Sequence, residues 1–196
     1  MRKILFIFLF LISNISYGQT LLDSLIFNRI NEYRESNCLK RLTWSPLTYK
    51  VGENQTEYMY LTNFLTHNQI IPIDSTILGS FKVEKNFDKR FSNHINEEFY
   101  TNENIIVETN IFFGENLYSN TIDTSTSLEF FATSIVNDWI NSPEHNELLL
   151  DESMIKGSIS NKTKNNVSDY LYDIDSAIFT ESISNKIYIA FECFGK

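Results

Sequence analysis

Three short segments of this 196-residue sequence hold two of its three histidines beside a glutamate of unusual setting. His67 stands in "LTHNQ", Glu115 follows a glycine in "FGENLY", and His145 follows Ser142-Pro143-Glu144 in "WINSPEH". Neutral imidazoles are good ligands for Zn²⁺ and similar ions, and a carboxylate either ligates or takes a proton from bound water. Taken singly, each signal is weak. A histidine at a helix end more often caps the last carbonyls, and a glutamate between glycine and asparagine fits an ordinary turn. The third histidine, His94, lies in a mixed charged stretch and is read as a surface residue. The two cysteines, Cys38 and Cys193, lie near opposite ends. A bridge between them would close a very long loop, worth about 4–5 kcal/mol in the chain-entropy model, and two unpaired thiols are the equal alternative.

The elements that must position these residues follow from periodicity. In "LLDSLIFNRINEYRES" apolar residues at 22, 25, 26, 30 and 33 trace one helical stripe. Ser45-Pro46 is the cap and first residue of a second helix, with Leu47, Val51, Tyr58, Thr62 and Leu65 on one side and His67 at its C-terminal end. Residues 70–110 are mixed: loops, a short helix and a strand are the expectation, and "FFGENLY" leads into a Ser/Thr-rich loop. Leu128, Phe131, Ala132, Ile135, Val136, Trp139 and Ile140 mark the clearest helix. It ends near Asn141. Ser142 then caps a new turn through its hydroxyl and Pro143 fills the first position, where no N–H is needed, so that His145 is re-aimed away from the core stripe.

"IKGSIS" and "SAIFTESI" are strands, with polar "NKTKNNVSD" as a loop or hairpin between them. The closing "KIYIAFECF" is apolar on both faces: Ile187, Ile189, Phe191 and Cys193 on one, Tyr188, Ala190 and Phe194 on the other. A strand buried on both sides belongs inside a sheet covered by helices on each face. The fold class expected is α+β, a three-layer α-β-α sandwich with a central, mainly antiparallel sheet. No internal repeat is visible.

Residues 1–18 stand apart. A basic "MRK", an apolar run too short to span a bilayer and a small-residue end form a cleavable secretory leader, cut between Gly18 and Gln19. A permanent anchor is the alternative. Residues 19–196 then form one domain. The formal net charge is −9, and loss of Arg2 and Lys3 with the leader makes it more negative still. Such a chain repels phosphate backbones, so nucleic acid is excluded as a partner. The Asn54, Asn161 and Asn166 sequons are by-products of an Asn-rich composition.

Together the three segments resemble the CAP superfamily, the cysteine-rich secretory or SCP-domain proteins, and within it the bacterial secreted branch. "INEYRESNCLKRLTWSPLTYKVGENQTEYM" resembles the family's opening, a helix ending in Tyr-Arg, a Leu-x-Trp link and a helix leading to a histidine. "GENLY" is similar to its Gly-Glu-Asn motif, and "WINSPEHNELLL" to its Trp-x-x-Ser-Pro-Gly-His-Arg-x-Asn-(Ile/Leu)-Leu signature. The resemblance covers most of residues 19–196 and implies that His67, Glu115 and His145 converge on a cleft. It also implies a possible ion there, Zn²⁺ or another divalent cation. The alternative is a hydrogen-bonded polar network that orders the cleft without metal. The sequence departs from the pattern at Ser142, where many eukaryotic relatives carry a second glutamate, and at Glu144, Asn146 and Leu148. Phe191-Glu192 stands where a Thr-Gln pair is common, so Glu192 is either a substitute carboxylate for the cleft or a residue leaving the strand's end.

The resemblance implies fold more sharply than activity. The leading expectation is a secreted, monomeric binding module whose cleft takes a small ligand, peptide or divalent metal, with no transmembrane anchor after cleavage. The alternatives are a metal-assisted, peptidase-like hydrolase using His67, Glu115 and His145 as catalytic residues on a metal-bound water, and an interaction protein for extracellular partners with a vestigial cleft.

Overall fold

The computed structural model describes residues 19–71, 81–83, 86–99, 112–122, 125–172 and 179–195; residues 1–18, read as a leader, and residues 72–80, 84–85 and 100–110 of the mixed stretch, with the strand expected there, lie outside them. Helix α1 spans Leu21–Ser36. Its N-cap Thr20 accepts from Asp23 N while Asp23 accepts from Thr20 N, a capping box. Strand β1, Thr43–Trp44, precedes α2, Pro46–Thr62, whose Ser45 hydroxyl accepts from Thr48 N at 3.3 Å. Helix α3 spans Phe87–Phe99, strand β2 Phe112–Ile122, helix α4 Leu128–Asn141 and helix α5 Pro143–Leu149. Two long strands follow, β3 at Met154–Tyr172 and β4 at Phe179–Gly195.

The sheet order is β1-β3-β4-β2. The β1–β3 pair is parallel, and β3–β4 and β2–β4 are antiparallel. On one face, Ile187, Ile189, Phe191 and Cys193 pack with Ile26 and Ile30 of α1 and Phe131, Ile135 and Trp139 of α4. On the other, Tyr188 and Ala190 pack against Met59 of α2, and Phe194 against Leu47, Val51 and Phe91. That is the α+β three-layer sandwich expected, with β4 buried on both faces. The alternation of β4 is the cause, because each of its two apolar rows needs its own helical cover.

Three element limits differ from the sequence reading. Helix α2 stops at Thr62 because Asn63 turns left-handed, with φ 57°, so Leu65 and His67 sit in the following loop. "NKTKNNVSD" is strand, not loop. Its polar residues continue the ladder with β4 through Asn165↔Asn185 and Asn166↔Ser184, since pairing satisfies the backbone whatever the side chains. Likewise β2 runs on through Ser119 and Asn120 to Ile122, drawn along by β4 as far as Asn185. Cys38 is exposed, Cys193 is buried, and both are free.

The candidate cleft and its buried acid pair

Alternation places Glu115 on the α2 face of β2, directly opposite Glu192 of β4. The Glu115 side chain is only 1 % exposed and is held by His67 and Arg90. His67 Nδ1 lies 2.7 Å from Oε1, and Arg90 Nη2 donates to Oε2 at 2.5 Å. Arg90 is fully buried on α3 and also donates from Nη1 to the His67 carbonyl at 2.9 Å. One guanidinium thus fixes both the carboxylate and the loop that carries the histidine. Burial pushes the Glu115 pKa up, but the His67 hydrogen bond, the Arg90 charge and a hydrogen bond with Glu192 outweigh it and hold the group below 4.5. An ionised Glu115 makes Nδ1 the protonated nitrogen of His67 and leaves Nε2 as the ring's open position.

The loop over residues 63–71 is pinned from α2. Gln55 donates from Nε2 to the Thr66 carbonyl, and Ile71 N donates to the Tyr58 hydroxyl at 2.6 Å. Gln69 bonds to both Asn54 and Gln55. His67 therefore presents a 54 % exposed side chain from a fixed backbone.

His145 comes from the opposite wall. Pro143 opens α5 as expected, and Asn146 N donates to the Ser142 carbonyl at 2.8 Å. The Ser142 hydroxyl makes no capping bond, contrary to expectation, and the turn closes through its backbone. Two strand residues seat α5. Asn116 donates to the His145 carbonyl at 3.0 Å, and Gly114 leaves room for Leu148, whose Cδ1 would lie 2.1 Å from any Cβ there. From α1, the Tyr33 hydroxyl bonds to Asn146 Oδ1 at 2.9 Å, and buried Arg34 donates to the Leu149 carbonyl at 2.7 Å. The Tyr-Arg pair thus fixes the segment that carries His145. Burial lowers the His145 pKa, as does the charge of His67, while Glu144 opposes them.

His67, Glu115 and His145 border one cleft of about 370 Å³, together with Phe87, Phe113 and Leu148. Of the three, His67 and Glu115 are hydrogen-bonded to each other. Glu192 lies behind Glu115, wholly buried, its oxygens without a conventional donor among the described residues. Burial first, and then the Glu115 charge and their shared hydrogen bond, raise its pKa well above 4.5, so Glu192 is the protonated partner of the pair and donates to Glu115. It therefore faces the buried network and does not leave the strand's end. Among the described residues, no three His, Cys, Asp or Glu side chains converge closely enough to hold one metal ion. Both Glu115 oxygens are occupied, so this arrangement does not fit a three-ligand ion.

The sequence reading did not find Arg90. Its signal was there: Phe87, Arg90, Phe91 and His94 repeat at i, i+3, i+4 and i+7, the stripe of a packed helix. His94 accordingly is half-buried on α3 and not a surface residue.

The sequence pattern of the Cysteine-rich secretory protein family, CAP, matches residues 27–172. Among solved structures, an extracellular SCP-domain protein of Bacillus anthracis is similar at 15 % identity and TM-score 0.49, covering 86 % of this chain and 39 % of its own. An outer surface protein of Borrelia burgdorferi is similar at 15 % identity and TM-score 0.44, with coverage of 87 % and 91 %. A cysteine-rich secretory protein of Staphylococcus aureus is similar at 12 % identity and TM-score 0.46, with coverage of 89 % and 39 %. The chain thus spans about two fifths of the Bacillus and Staphylococcus proteins it resembles. No curated protein matches it. With the family pattern covering most of its length, this chain belongs to the Cysteine-rich secretory protein family, CAP.

Proposed function

We propose that this protein is an extracytoplasmic binding module whose cleft takes a small ligand or a peptide segment between His67 and His145. The carrying observation is that Glu115 is fully engaged beneath the cleft, by Arg90 at 2.5 Å and His67 at 2.7 Å. A general base needs a free oxygen and a raised pKa, and Glu115 has neither. What the network does supply is preorganisation. His67 is held in one tautomer on a pinned loop, opposite His145 and beside Phe87, Phe113 and Leu148. Imidazole edges above apolar walls suit a ligand with both hydrogen-bonding and apolar parts. The leader-like composition of residues 1–18 and membership of a secretory family support the extracytoplasmic location. Among the described residues no helix is long and apolar enough to cross a membrane.

The test is a fragment and short-peptide screen by heteronuclear NMR on residues 19–196, repeated with His67→Ala and His145→Ala. Ligands should shift the amides of residues 113–116 and 144–148, and each substitution should weaken them about tenfold. A parallel Zn²⁺ titration reports on the ion reading. Ligands indifferent to both substitutions, or turnover of a peptide or ester substrate sensitive to Glu115→Gln, would sink the proposal.

A further inference from the structure

We infer that a second pocket, at the C-terminal end of α1, binds a small organic molecule carrying a phosphate or carboxylate group. The pocket measures about 520 Å³ and opens between the link after α1 and the start of β3. Arg34, Lys40, Arg41, Thr43 and Glu152 supply its polar wall, and it shares no lining residue with the histidine cleft.

Arg34 carries the argument. Its side chain is among the largest wholly buried ones, and its hydrogen bonds go to four carbonyls: Lys40 at 3.0 Å, Leu149 at 2.7 Å, Asp151 at 3.1 Å and Met154 at 3.3 Å. Carbonyls satisfy the N–H groups, and the charge is offset only through space, by the neighbouring Asp151. Among the described residues no carboxylate is hydrogen-bonded to it; the Asp151 carboxylate instead accepts from Ser153 N at 2.8 Å. Buried guanidinium groups are ordinarily paired with an anion, since desolvating an isolated charge is costly. Burial accordingly draws the Arg34 pKa down. In the low-dielectric pocket wall the field of a cation without a hydrogen-bonded counter-ion reaches further than at an open surface.

The rest of the wall strengthens that field. Lys40 makes no ion pair among the described residues, and Arg41 is held at the rim by Glu35 at 2.7 Å. Arg34, Lys40 and Arg41 thus line the pocket beside one lining carboxylate, Glu152, with Arg41 already paired at the rim and Lys40 left as the cation open to a ligand. The Thr43 hydroxyl, exposed on β1, adds a neutral donor. The volume lies in the usual range for small-ligand sites and exceeds what a bare oxyanion fills, which points to an organic body behind the anionic group. A polyanion is disfavoured, because the negative chain as a whole repels it.

Cys38 lies in the pocket wall and is exposed, whereas Cys193 is buried, so thiol alkylation reads out the pocket alone. Residues 19–196 are treated with iodoacetamide, a neutral reagent, in the presence of glucose 6-phosphate, citrate, glucose, or sodium chloride of matched ionic strength. Glucose 6-phosphate or citrate should slow Cys38 alkylation severalfold, glucose and salt should not, and the two anions separate phosphate from carboxylate preference. By calorimetry the Lys40→Ala/Arg41→Ala double variant should weaken the protecting anion at least tenfold, while His67→Ala leaves it unchanged. Arg34 is avoided because its loss would disturb folding. Absence of heat and protection up to about 10 mM anion, a regime weaker than any specific site, would overturn the inference. So would protection that survives the double substitution.

Discussion

Replacing Arg90 by methionine removes the guanidinium beneath the cleft while keeping a side chain of similar reach. In the native protein the guanidinium is wholly buried, and Glu115 is almost so. The substitution therefore strands a carboxylate out of contact with water and deletes the bond to the His67 carbonyl. Breaking a buried pair by removing one partner typically costs about 3–5 kcal/mol. For a domain of this size each kcal/mol corresponds to roughly 2–4 °C in Tm, so a fall of about 6–20 °C is expected near neutral pH. The pH dependence gives the mechanism away. Native Glu115 has a depressed pKa, so its stabilisation is present above 4.5 and is lost as pH falls through the folded value. Without Arg90, burial dominates and the pKa of Glu115 rises. The variant then loses stability as pH rises above 4.5, and the gap from wild type narrows towards acid. Adding Glu115→Gln should recover a large part of the loss, since a neutral amide needs no counter-charge. Urea unfolding followed by tryptophan fluorescence from pH 4 to 8 measures all three proteins. A loss under about 1 kcal/mol, or a gap constant with pH, would refute the account of Arg90 as counter-ion.

Other perturbations test neighbouring parts of the same argument. Glu192 has a raised folded pKa, so its contribution is present below 4.5 and is lost as pH rises towards that folded value, at a slope of about 1.4 kcal/mol per pH unit for one proton. Glu192→Gln should flatten that slope and gain stability on wild type in alkali, as read from unfolding midpoints across pH. Gly114→Val places side-chain atoms where Leu148 sits, so a loss of about 1–3 kcal/mol is expected, with shifts in the His145 resonances and partial rescue by Leu148→Ala. Tyr33→Phe removes the bond to Asn146 and should cost about 0.5–1.5 kcal/mol in urea unfolding while loosening α5 in amide exchange.

The legible parts of this protein were those with a strict apolar period. The stripe Phe131, Ala132, Ile135, Val136 and Trp139 is buried as read, and the two rows of β4 divide between the helical layers as alternation requires. Leu128 departs from its stripe and is exposed at the first turn, where there is no preceding turn of helix to pack beside it. The polar half of β3 was unreadable for a different reason. Its strand state is imposed by the ladder with β4, and asparagines carry no local sign of a partner more than ten residues away. At the site, the spacing of His67 and Glu115 says nothing of a hydrogen bond between them; that contact depends on the left-handed turn at Asn63 and on Arg90 from a separate helix. Arg90 escaped because a charge in a mixed segment ordinarily faces water, and only the flanking Phe87 and Phe91 mark its helix face as buried.

The buried acids also constrain what the cleft can recognise. Two carboxylates stand opposite each other across β2 and β4, and one guanidinium serves both. Charge balance then requires one proton, and it resides on Glu192, the member lacking a cationic hydrogen-bond partner. The floor is therefore close to neutral: one cation, one anion and one acid. Little net field reaches a ligand from below, so any charge preference at the cleft must come from its rim, from His67, His145 and Glu144. The depressed pKa of His145 keeps its imidazole from adding positive charge to the rim. Near neutral pH the cleft should thus choose by shape and hydrogen bonding. Attraction of anions falls to the pocket of Arg34, Lys40 and Arg41, where Lys40 makes no ion pair among the described residues. If the two sites divide recognition in this way, raising salt from low to physiological concentration should weaken anion binding at the second pocket while leaving neutral ligands of the cleft nearly unaffected, because screening acts only where net charge attracts the ligand. Equal salt sensitivity at both sites would contradict the neutral floor, and with it the placement of the proton on Glu192.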